Sequence, residues 1–324
     1  MDRTLYIAEF SKDYPGILPL ELAALSSDST IFSYDFLRDN IVLARGKVDA
    51  ITESAFLRYL GKIIWQGDDL NHLEMDAIRI PEGTFHVRAW TDDGRESTRA
   101  EQIIGKSLHG EGRIQFKNPD FTIRAYFLGR WYVTLQVSLG KRSEMLSRTA
   151  PMRPFFSPVS LHPFIARAAV NLSRTRKGET LLDPFCGTGG ILLEAALSGR
   201  KVIGSDASLQ MVSGARMNMK YYGIQDSRII LSSAFDLKLN EEVDAIVTDL
   251  PYGRSSPKID IGNDFISRIT EKFASLIRLG GFCVLITNSA NAQDQISGEF
   301  SLMNKFGIRQ HRSLTRFFYV IRKG

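Results

Sequence analysis

The spacing of apolar residues changes near residue 163. From there on, short apolar segments alternate with longer ones whose apolar residues recur at helical spacing. This pattern predicts strands over 180–183, 201–206, 228–231, 244–249 and 281–287, helices at about 163–173, 189–198, 208–222 and 264–279, and an edge strand over 313–322. Apolar strands separated by amphipathic helices are typical of a doubly wound, mostly parallel sheet, so the fold class expected here is α/β.

The first half of the chain has shorter and less regular segments. Alternating apolar and polar residues predict strands over 4–9, 41–44, 84–90, 121–127 and 131–138, and helical spacing predicts helices over 18–25, 54–60 and 97–108. Residues 141–163 hold four prolines and no clear period, as in a linker. The expected organisation is an N-terminal α+β half made of two units (1–75 and 76–142), a linker (143–162) and the α/β domain (163–324).

A glycine-rich turn, LLDPFCGTGG, follows the first strand of the α/β domain and opens a helix. Gly187 and Gly189 allow the backbone to turn sharply and to approach a ligand closely. Asp206 ends the next strand, where a carboxylate can accept both hydroxyls of a ribose. This context favours a nucleoside cofactor over a plain strand-to-helix turn with a capping aspartate.

The chemistry of the turn distinguishes between nucleoside cofactors. A dinucleotide site needs G-x-G-x-x-G and an uncluttered helix N-terminus, but here Asp183 and Pro184 come first. A carboxylate at the strand tip would repel a pyrophosphate, yet it suits the ammonium and sulfonium groups of S-adenosylmethionine. The turn therefore predicts S-adenosylmethionine and disfavours a nicotinamide oxidoreductase.

A second motif, Asp249-Leu-Pro-Tyr252, ends a strand near the middle of the predicted sheet, where ligands meet catalytic groups. Alkylation of an exocyclic ring amine requires such a set, because the lone pair of that amine is conjugated into the ring. Asp249, with the backbone carbonyl of Leu250, would hold the amine hydrogens. Pro251 fixes the backbone, and Tyr252 offers a face on which the base can stack. The alternative is a strand-ending turn with a buried tyrosine.

The two motifs, in this order and spacing, resemble the class I S-adenosylmethionine-dependent amino-methyltransferases, whose signature is (N/D)-x-P-(Y/F). The segment RTAPMRPFFSPVSLHPFIARAAVNL is similar to the linker and first helix of the archaeal tRNA guanine-N(2)-methyltransferases. The opening LYIAEFSKDYPGILPLELAAL and residues 112–137 also resemble that family. The resemblance implies a Rossmann-like methyltransferase domain preceded by a small ferredoxin-like unit and a THUMP RNA-binding domain.

The resemblance also implies roles for individual residues. It assigns cofactor contacts to Asp183, Phe185, Gly187, Gly189 and Asp206, and the transfer site to Asp249, Pro251 and Tyr252. After the third strand the family usually has Asp-Ala, whose carboxylate accepts the adenine amino group. This chain has Ser233-Ala234 instead, which leaves the adenine contact open between Ser233 and Asp236.

The distribution of charge along the chain indicates what kind of molecule the protein binds. The net charge is +5, yet residues 1–78 hold 7 basic and 13 acidic side chains, so the positive charge lies further along the chain. Between 113 and 153, eight basic residues face only Asp120 and Glu144, which favours contacts to RNA phosphates over a solvated face. The eight are Arg113, Lys117, Arg124, Arg130, Lys141, Arg142, Arg148 and Arg153.

Composition limits the remaining possibilities. No apolar run exceeds five residues, so no membrane span is expected, and two cysteines favour a reducing, cytoplasmic compartment. The five histidines show no metal-ligand spacing, so no metal is expected, and Cys186 is expected to be buried rather than nucleophilic.

The expected function is methyl transfer from S-adenosylmethionine to the 2-amino group of a guanosine in tRNA. Family analogy gives position 10, and the sequence leaves open whether one or two methyl groups are added. The alternatives are methylation of another RNA (rRNA guanine or adenine) and a non-catalytic RNA-binding protein; DNA is disfavoured by the THUMP-like half. Some eukaryotic relatives use a small zinc-containing activator protein, and the sequence leaves open whether this chain needs one.

Overall fold

A computed structural model of the chain describes residues 4–27, 32–73, 79–91, 93–108, 112–157, 160–251, 264–311 and 314–324. The chain divides into two compact units. Unit 1 comprises residues 1–15 and 28–141, and unit 2 comprises residues 16–27 and 142–324. The division differs from the expected one in two ways: the presumed linker lies within unit 2, and a short N-terminal segment joins it there.

Unit 1 is built on one eight-stranded sheet, although the sequence suggested two separate α+β units. The strand order is β2-β3-β1-β4-β8-β7-β5-β6, with β5 parallel to both β6 and β7. The elements are β1 (Leu5–Phe10), β2 (Phe32–Arg38), β3 (Ile41–Gly46), β4 (Leu57–Gly67), β5 (Gly83–Trp90), α2 (Gly94–Ser107), β6 (Gly112–Ile114), β7 (Phe121–Phe127) and β8 (Trp131–Leu139). Helix α2 packs its buried Ala100 and Ile104 against this sheet.

Two expectations for unit 1 were wrong in detail. Residues 54–60 were expected to be helical, but β4 begins at Leu57 and pairs with β1 on one side and β8 on the other. Pairing on both sides decides the conformation there, and local apolar spacing does not. Helix α2 begins at Gly94, before the expected start, because the Asp93 carboxylate accepts the Arg95 N–H at 2.8 Å and caps the helix.

Unit 2 contains a seven-stranded sheet in the order β11-β10-β9-β12-β13-β15-β14. Strands β9 to β13 are parallel to one another, whereas β15 is antiparallel to both β13 and β14. The strands are β9 (Thr180–Asp183), β10 (Lys201–Asp206), β11 (Ser227–Leu231), β12 (Val243–Asp249), β13 (Ile277–Thr287), β14 (Phe300–His311) and β15 (Leu314–Lys323). The helices are α1 (Leu18–Leu25), α3 (Arg142–Leu146), α4 (Pro163–Leu172), α5 (Gly190–Leu197), α6 (Leu209–Tyr221) and α7 (Phe265–Ala274).

This sheet corrects two sequence predictions. The last strand was expected at the edge, but β15 lies inside the sheet and the unpredicted β14 forms the edge. Helix α7 was expected to continue to residue 279, but it ends at Ala274 and β13 starts at Ile277. The α/β class and the doubly wound, mostly parallel sheet are confirmed.

Helix α4 is buried along its whole length, including the polar Arg167 and Asn171. Helix α1 packs against it, and the side-chain amide of Asn171 donates to Glu21 at 2.8 Å. Glu21 is itself buried. This buried polar contact ties residues 16–27 to unit 2, because a buried carboxylate requires its hydrogen-bond partners.

Glu194 of α5 anchors the segment that the sequence presented as a linker. Its carboxylate is completely buried and pairs with Arg148, at 2.8 Å from Nε, and with Arg167. Arg153, which is 4% exposed, donates from Nε to the backbone carbonyl of Arg148. Residues 148–153 therefore form part of the core of unit 2.

We expect Glu194→Gln to lower the free energy of unfolding by about 3–5 kcal/mol, because it removes the buried negative charge that pairs with two buried guanidinium groups. Asp264→Asn is the matched control: Asp264 pairs with Arg268 on the exposed surface of the same unit, so its replacement changes stability by less than about 1 kcal/mol. Chemical denaturation of the three proteins measures the difference. Equal destabilisation of both variants would contradict the importance of the buried pair.

Candidate active site

Three aspartates lie at the carboxyl ends of adjacent parallel strands. Asp183 ends β9, Asp206 ends β10 and Asp249 ends β12. In an open α/β sheet, ligands bind at this edge, where the strand order reverses. The strand order changes direction at β9, between β10 and β12, so the three carboxylates lie around that point.

Asp183 is buried, and its charge is supported by hydrogen bonds. The hydroxyl of Thr248, a buried residue of β12, donates to its Oδ1 at 2.7 Å, and the backbone N–H of Phe185 donates to the same oxygen at 3.2 Å. Burial raises the pKa of Asp183 to about 7, against the two hydrogen bonds, and the nearby Asp249 and Asp206 raise it further. A bound cation would therefore stabilise Asp183 in its charged form.

Asp206 holds the glycine-rich turn in shape. Its two carboxylate oxygens accept the backbone N–H groups of Gly187, at 3.0 Å, and Ser208, at 2.9 Å. Gly187 and Gly189 both have positive φ (50° and 80°), which explains the glycines. A Cβ atom at Gly187 would meet nothing within 4 Å, so open space lies beside the turn. Space of this kind, flanked by carboxylates, fits a cationic nucleoside cofactor.

The loop after β11 carries the candidates for the adenine contact. The Ser233 hydroxyl accepts the backbone N–H of Phe235 at 3.2 Å, so it closes its own turn. Ala234 is buried, and the side chain of Asp236 is exposed. The assignment between Ser233 and Asp236 stays a prediction.

Asp249 differs from the other two aspartates in its partner. Its Oδ2 lies 3.4 Å from an amino group of Arg316, a buried residue of β15. Its Oδ1 is buried and has no hydrogen-bond partner among the residues that the structure describes. Burial raises the pKa of Asp249 to about 7, although Arg316 acts to lower it. Oδ1 is thus an acceptor whose hydrogen-bonding capacity a donor group of a ligand could satisfy.

The segment after Asp249 is described only in part. The N–H of Leu250 donates to the carbonyl of Ile286 at 2.8 Å, which continues the pairing with β13, and Pro251 is half-buried. Tyr252 lies outside the described residues. The stacking role expected for it stays a prediction.

The expected RNA-binding residues separate into exposed and buried groups. Arg113, Lys117 and Lys141 are exposed in unit 1, and Arg130 is partly exposed near Asp68. Arg142 lies over the ring of Phe164 in unit 2, 4.7 Å from its centroid.

For the remaining three, Arg124, Arg148 and Arg153, low exposure and contacts with other groups of the protein argue against a role in phosphate contacts. Arg124 is largely buried, pairs with Glu9 at 2.7 Å and lies over the ring of Tyr59. Arg148 and Arg153 are in the core of unit 2, as described above. Sequence position along a basic stretch cannot distinguish a guanidinium bound to phosphate from one bound to a buried carboxylate.

Two residues of the site were not predicted. Thr248 follows the apolar residues 245–247 of β12, and Arg316 directly precedes the apolar run FFYVI of β15. A polar or charged residue within a buried strand is a usable signal, because such a group requires a partner. Cys186, by contrast, is a buried thiol whose pKa burial raises, as expected for a packing residue.

Two further features concern metals and membranes. Within the described ranges, no cluster of three or more histidine, cysteine or acidic side chains could hold a metal ion. The helices of this part of the chain are too short or too polar to cross a membrane.

Comparison with known proteins gives relatives for both parts of the chain. Residues 151–316 match the family described as "RMKL-like, methyltransferase domain". The tRNA (guanine(10)-N2)-dimethyltransferase of Methanothermobacter thermautotrophicus is 35% identical over 264 residues, which are 79% of each chain. The protein of the same name from Pyrococcus abyssi is 32% identical over 94% of this chain and 97% of its own length. TrmN from Thermus thermophilus shares the fold, with a TM-score of 0.58 at 21% identity, covering 99% of this chain and all of the other.

The contact between Thr248 and Asp183 gives a testable pH dependence for binding of S-adenosylmethionine. The predicted contact of Asp183 with the cationic cofactor requires a charged carboxylate, and the Thr248 hydroxyl favours the charged form. We expect Thr248→Val to raise the pKa of Asp183 and to weaken cofactor binding about tenfold at pH 6.5, since hydrogen bonds to charged groups contribute roughly 1.5–3 kcal/mol. The weakening should shrink towards pH 8.

Thr248→Ser is the control, because it keeps the hydroxyl. Calorimetric titration of each protein between pH 5.5 and 8 measures how steeply the affinity for the cofactor falls as the pH is lowered. Above this range the ligand's own ammonium loses its proton in all variants alike. If the valine and serine variants bind with the same pH dependence, the hydroxyl does not support Asp183.

Proposed function

The chain belongs to the family of the tRNA (guanine(10)-N2)-dimethyltransferases, and from that membership we propose that it methylates the 2-amino group of guanosine 10 in tRNA. It is a methyltransferase that uses S-adenosylmethionine. The observation that carries the proposal is the buried Oδ1 of Asp249 at the end of β12, which has no hydrogen-bond partner within the described part of the chain. An acceptor in this position suits an amine donor.

We assign the cofactor to the edge of the sheet formed by β9 and β10. Asp183 would face its ammonium group, Asp206 its ribose, and the glycine-rich turn with Phe185 would line the space between them. Support comes from the open space at Gly187 and from the carboxylates that surround it. The cofactor supplies an electrophilic methyl group on a sulfonium.

Asp249 orients the amine and takes its proton. The lone pair of the guanine 2-amino group is delocalised into the ring, so an acceptor for its hydrogen favours a pyramidal nitrogen. As the new N–C bond forms and the S–C bond breaks, the nitrogen becomes positively charged and loses a proton. A carboxyl whose pKa is about 7 can accept that proton near neutral pH.

The base must leave its helix to reach Asp249. The 2-amino group lies on the pairing edge of guanine, so the nucleotide has to flip out, and enzymes of this kind hold the flipped base by stacking. Tyr252 is proposed as the stacking residue and Pro251 as the residue that fixes the turn. The largest contribution to catalysis is then positioning of the two reactants.

We expect an unmodified tRNA transcript incubated with the protein and S-adenosylmethionine to yield N(2)-methylated guanosine at position 10. Nucleoside mass spectrometry with mapping of the modified position measures this and separates mono- from dimethylation. Asp249→Ala should reduce transfer at least a hundredfold, because it removes both the acceptor and the base. It should still bind the cofactor.

Three outcomes would overturn parts of this proposal. Methyladenosine in the product would change the substrate class. Methylguanosine only in rRNA fragments would change the RNA. Normal activity in Asp249→Ala would move the transfer site elsewhere.

Recognition of the RNA is proposed to involve the exposed basic residues of unit 1. Support comes from Arg113, Lys117 and Lys141, which are exposed, and from the acidic balance of residues 1–78, which localises the positive charge. A cytoplasmic location is part of this proposal, and the two buried free thiols, Cys186 and Cys283, are in keeping with a reducing compartment.

We expect Arg113→Glu combined with Lys117→Glu to weaken tRNA binding and to reduce the slope of log affinity against log salt by about 1 for each phosphate that the protein no longer neutralises. Lys12→Glu combined with Lys47→Glu is the control, with two exposed lysines of the same unit and an equal change in charge. Filter binding over a range of salt gives both slopes. Identical slopes for the two double variants would show a general charge effect and no phosphate bound at Arg113 and Lys117.

A further inference from the structure

Arg316 lies where a residue of β15 can act on the end of β12. Strand β15 runs antiparallel to β13, and the last pair of their register joins Thr287 to Phe317. Arg316 is the next residue beyond that pair, so it lies at the edge of the sheet where β12 and β13 end. From there its guanidinium reaches Oδ2 of Asp249, across the end of β13, at 3.4 Å.

The surroundings make this contact selective for one oxygen. Arg316 is 5% exposed, and the side chain of Asp249 is 20% exposed, so water screens the pair only weakly. The guanidinium contacts Oδ2, whereas Oδ1 is buried and unpaired among the described residues. The two oxygens of one carboxylate are therefore distinguished by their environment.

We propose that Arg316 is a positioning residue, which holds Oδ2 of Asp249 so that Oδ1 is presented to the target amine. This inference rests on the proposed function of Asp249. Arg316 does not touch the amine itself; it acts through the carboxylate. The signature of such methyltransferases allows Asn or Asp at position 249. The contact with Arg316 explains why this chain has Asp there.

The explanation follows from donors and acceptors. A guanidinium only donates hydrogen bonds, so with Asn at position 249 it would attract the amide oxygen. The amide NH₂ would then occupy the place of Oδ1 and face the amine of the base, donor against donor. In this chain, asparagine at position 249 would therefore present a donor where the amine needs an acceptor.

Charge gives a second consequence. Asp183 of β9 is a carboxyl close enough for Asp249 to raise its pKa, so it offers Asp249 no opposite charge. Arg316 is thus the group that favours the ionised form of Asp249, against burial. Without it, the carboxyl would keep its proton to a higher pH and could accept neither the hydrogen bond nor the proton of the amine.

The test is a double-mutant cycle on methyl transfer at saturating cofactor and tRNA. Asp249→Asn should be almost inactive, and Arg316→Met should lower the rate at pH 7. The double variant should be about tenfold more active than Asp249→Asn alone, because its amide is free to turn its oxygen to the amine. A merely structural Arg316 would make the double variant worse than either single one, and that result would overturn the proposal.

The pH profile provides a second readout. On the acidic side of the pH profile, the methyl-transfer rate falls as the carboxyl of Asp249 gains a proton. In Arg316→Met this fall should occur at a pH higher by about one unit or more, since an opposite charge at this distance lowers a carboxyl pKa by roughly 1–3 units. Arg316→Lys keeps the charge, so its rate should fall at the same acidic pH as that of the unchanged protein. Arg322 is an exposed arginine of the same strand, so Arg322→Met is the control. It should change neither the rate nor the pH at which the rate falls. A pH profile of Arg316→Met with its acidic fall at the same pH as in the unchanged protein would contradict the proposal.

Each variant is first checked for folding by thermal unfolding and by its affinity for S-adenosylhomocysteine. If Arg316→Met fails to bind, the pair Arg316→Gln and Arg316→Lys, both long and polar, replaces it and separates charge from packing. The product identifies which hypothesis fails. Methyladenosine from the unchanged protein would refute the proposed function, whereas methylguanosine with an additive cycle would refute the role of Arg316 alone.

Discussion

Crowding of negative charge at one edge of a sheet is the constraint on which the active site depends. Parallel strands bring Asp183, Asp206 and Asp249 to the same edge, where burial opposes the ionisation of Asp183 and Asp249 and the neighbouring carboxylates add to the effect on Asp183. A different set of hydrogen-bond donors or charges stabilises each carboxylate. Thr248 and a backbone N–H support Asp183, two backbone N–H groups support Asp206, and Arg316 supports Asp249. A cationic cofactor would relieve the remaining repulsion, so the site is suited to its ligand before the ligand arrives.

Local sequence was informative wherever one element determines its own conformation. Helix α1 has the predicted bounds, because its apolar spacing and its proline in the first turn act within eight residues. The glycine-rich turn was also predictable, since the positive φ values of Gly187 and Gly189 leave few alternatives to glycine. The parallel, doubly wound arrangement of strands β9 to β13 was expected from their alternation with helices. Resemblance to a family then added residue roles that spacing alone could not supply.

Contacts between distant segments account for what sequence did not predict. Strand β4 was taken for a helix because its pairing with β1 and β8 is not encoded in its own spacing. Arg124 and Arg153 resemble RNA-binding residues until their partners, a carboxylate for Arg124 and a backbone carbonyl for Arg153, are seen. Arg316 lies 67 positions after Asp249 in the sequence, and only the antiparallel return of β15 brings the two together.

Helix α1 has a consequence for how the protein is made. Its buried contact joins Glu21 to Asn171, 150 residues further along the chain. At 5–20 residues per second, a ribosome needs about 8 to 30 s to synthesise that interval. Strands β1 to β8 can pair during this time, while α1, whose Leu18 and Leu22 are buried in the finished protein, has no α4 to cover it. The apolar residues of this segment therefore stay uncovered in the nascent chain until α4 has been synthesised.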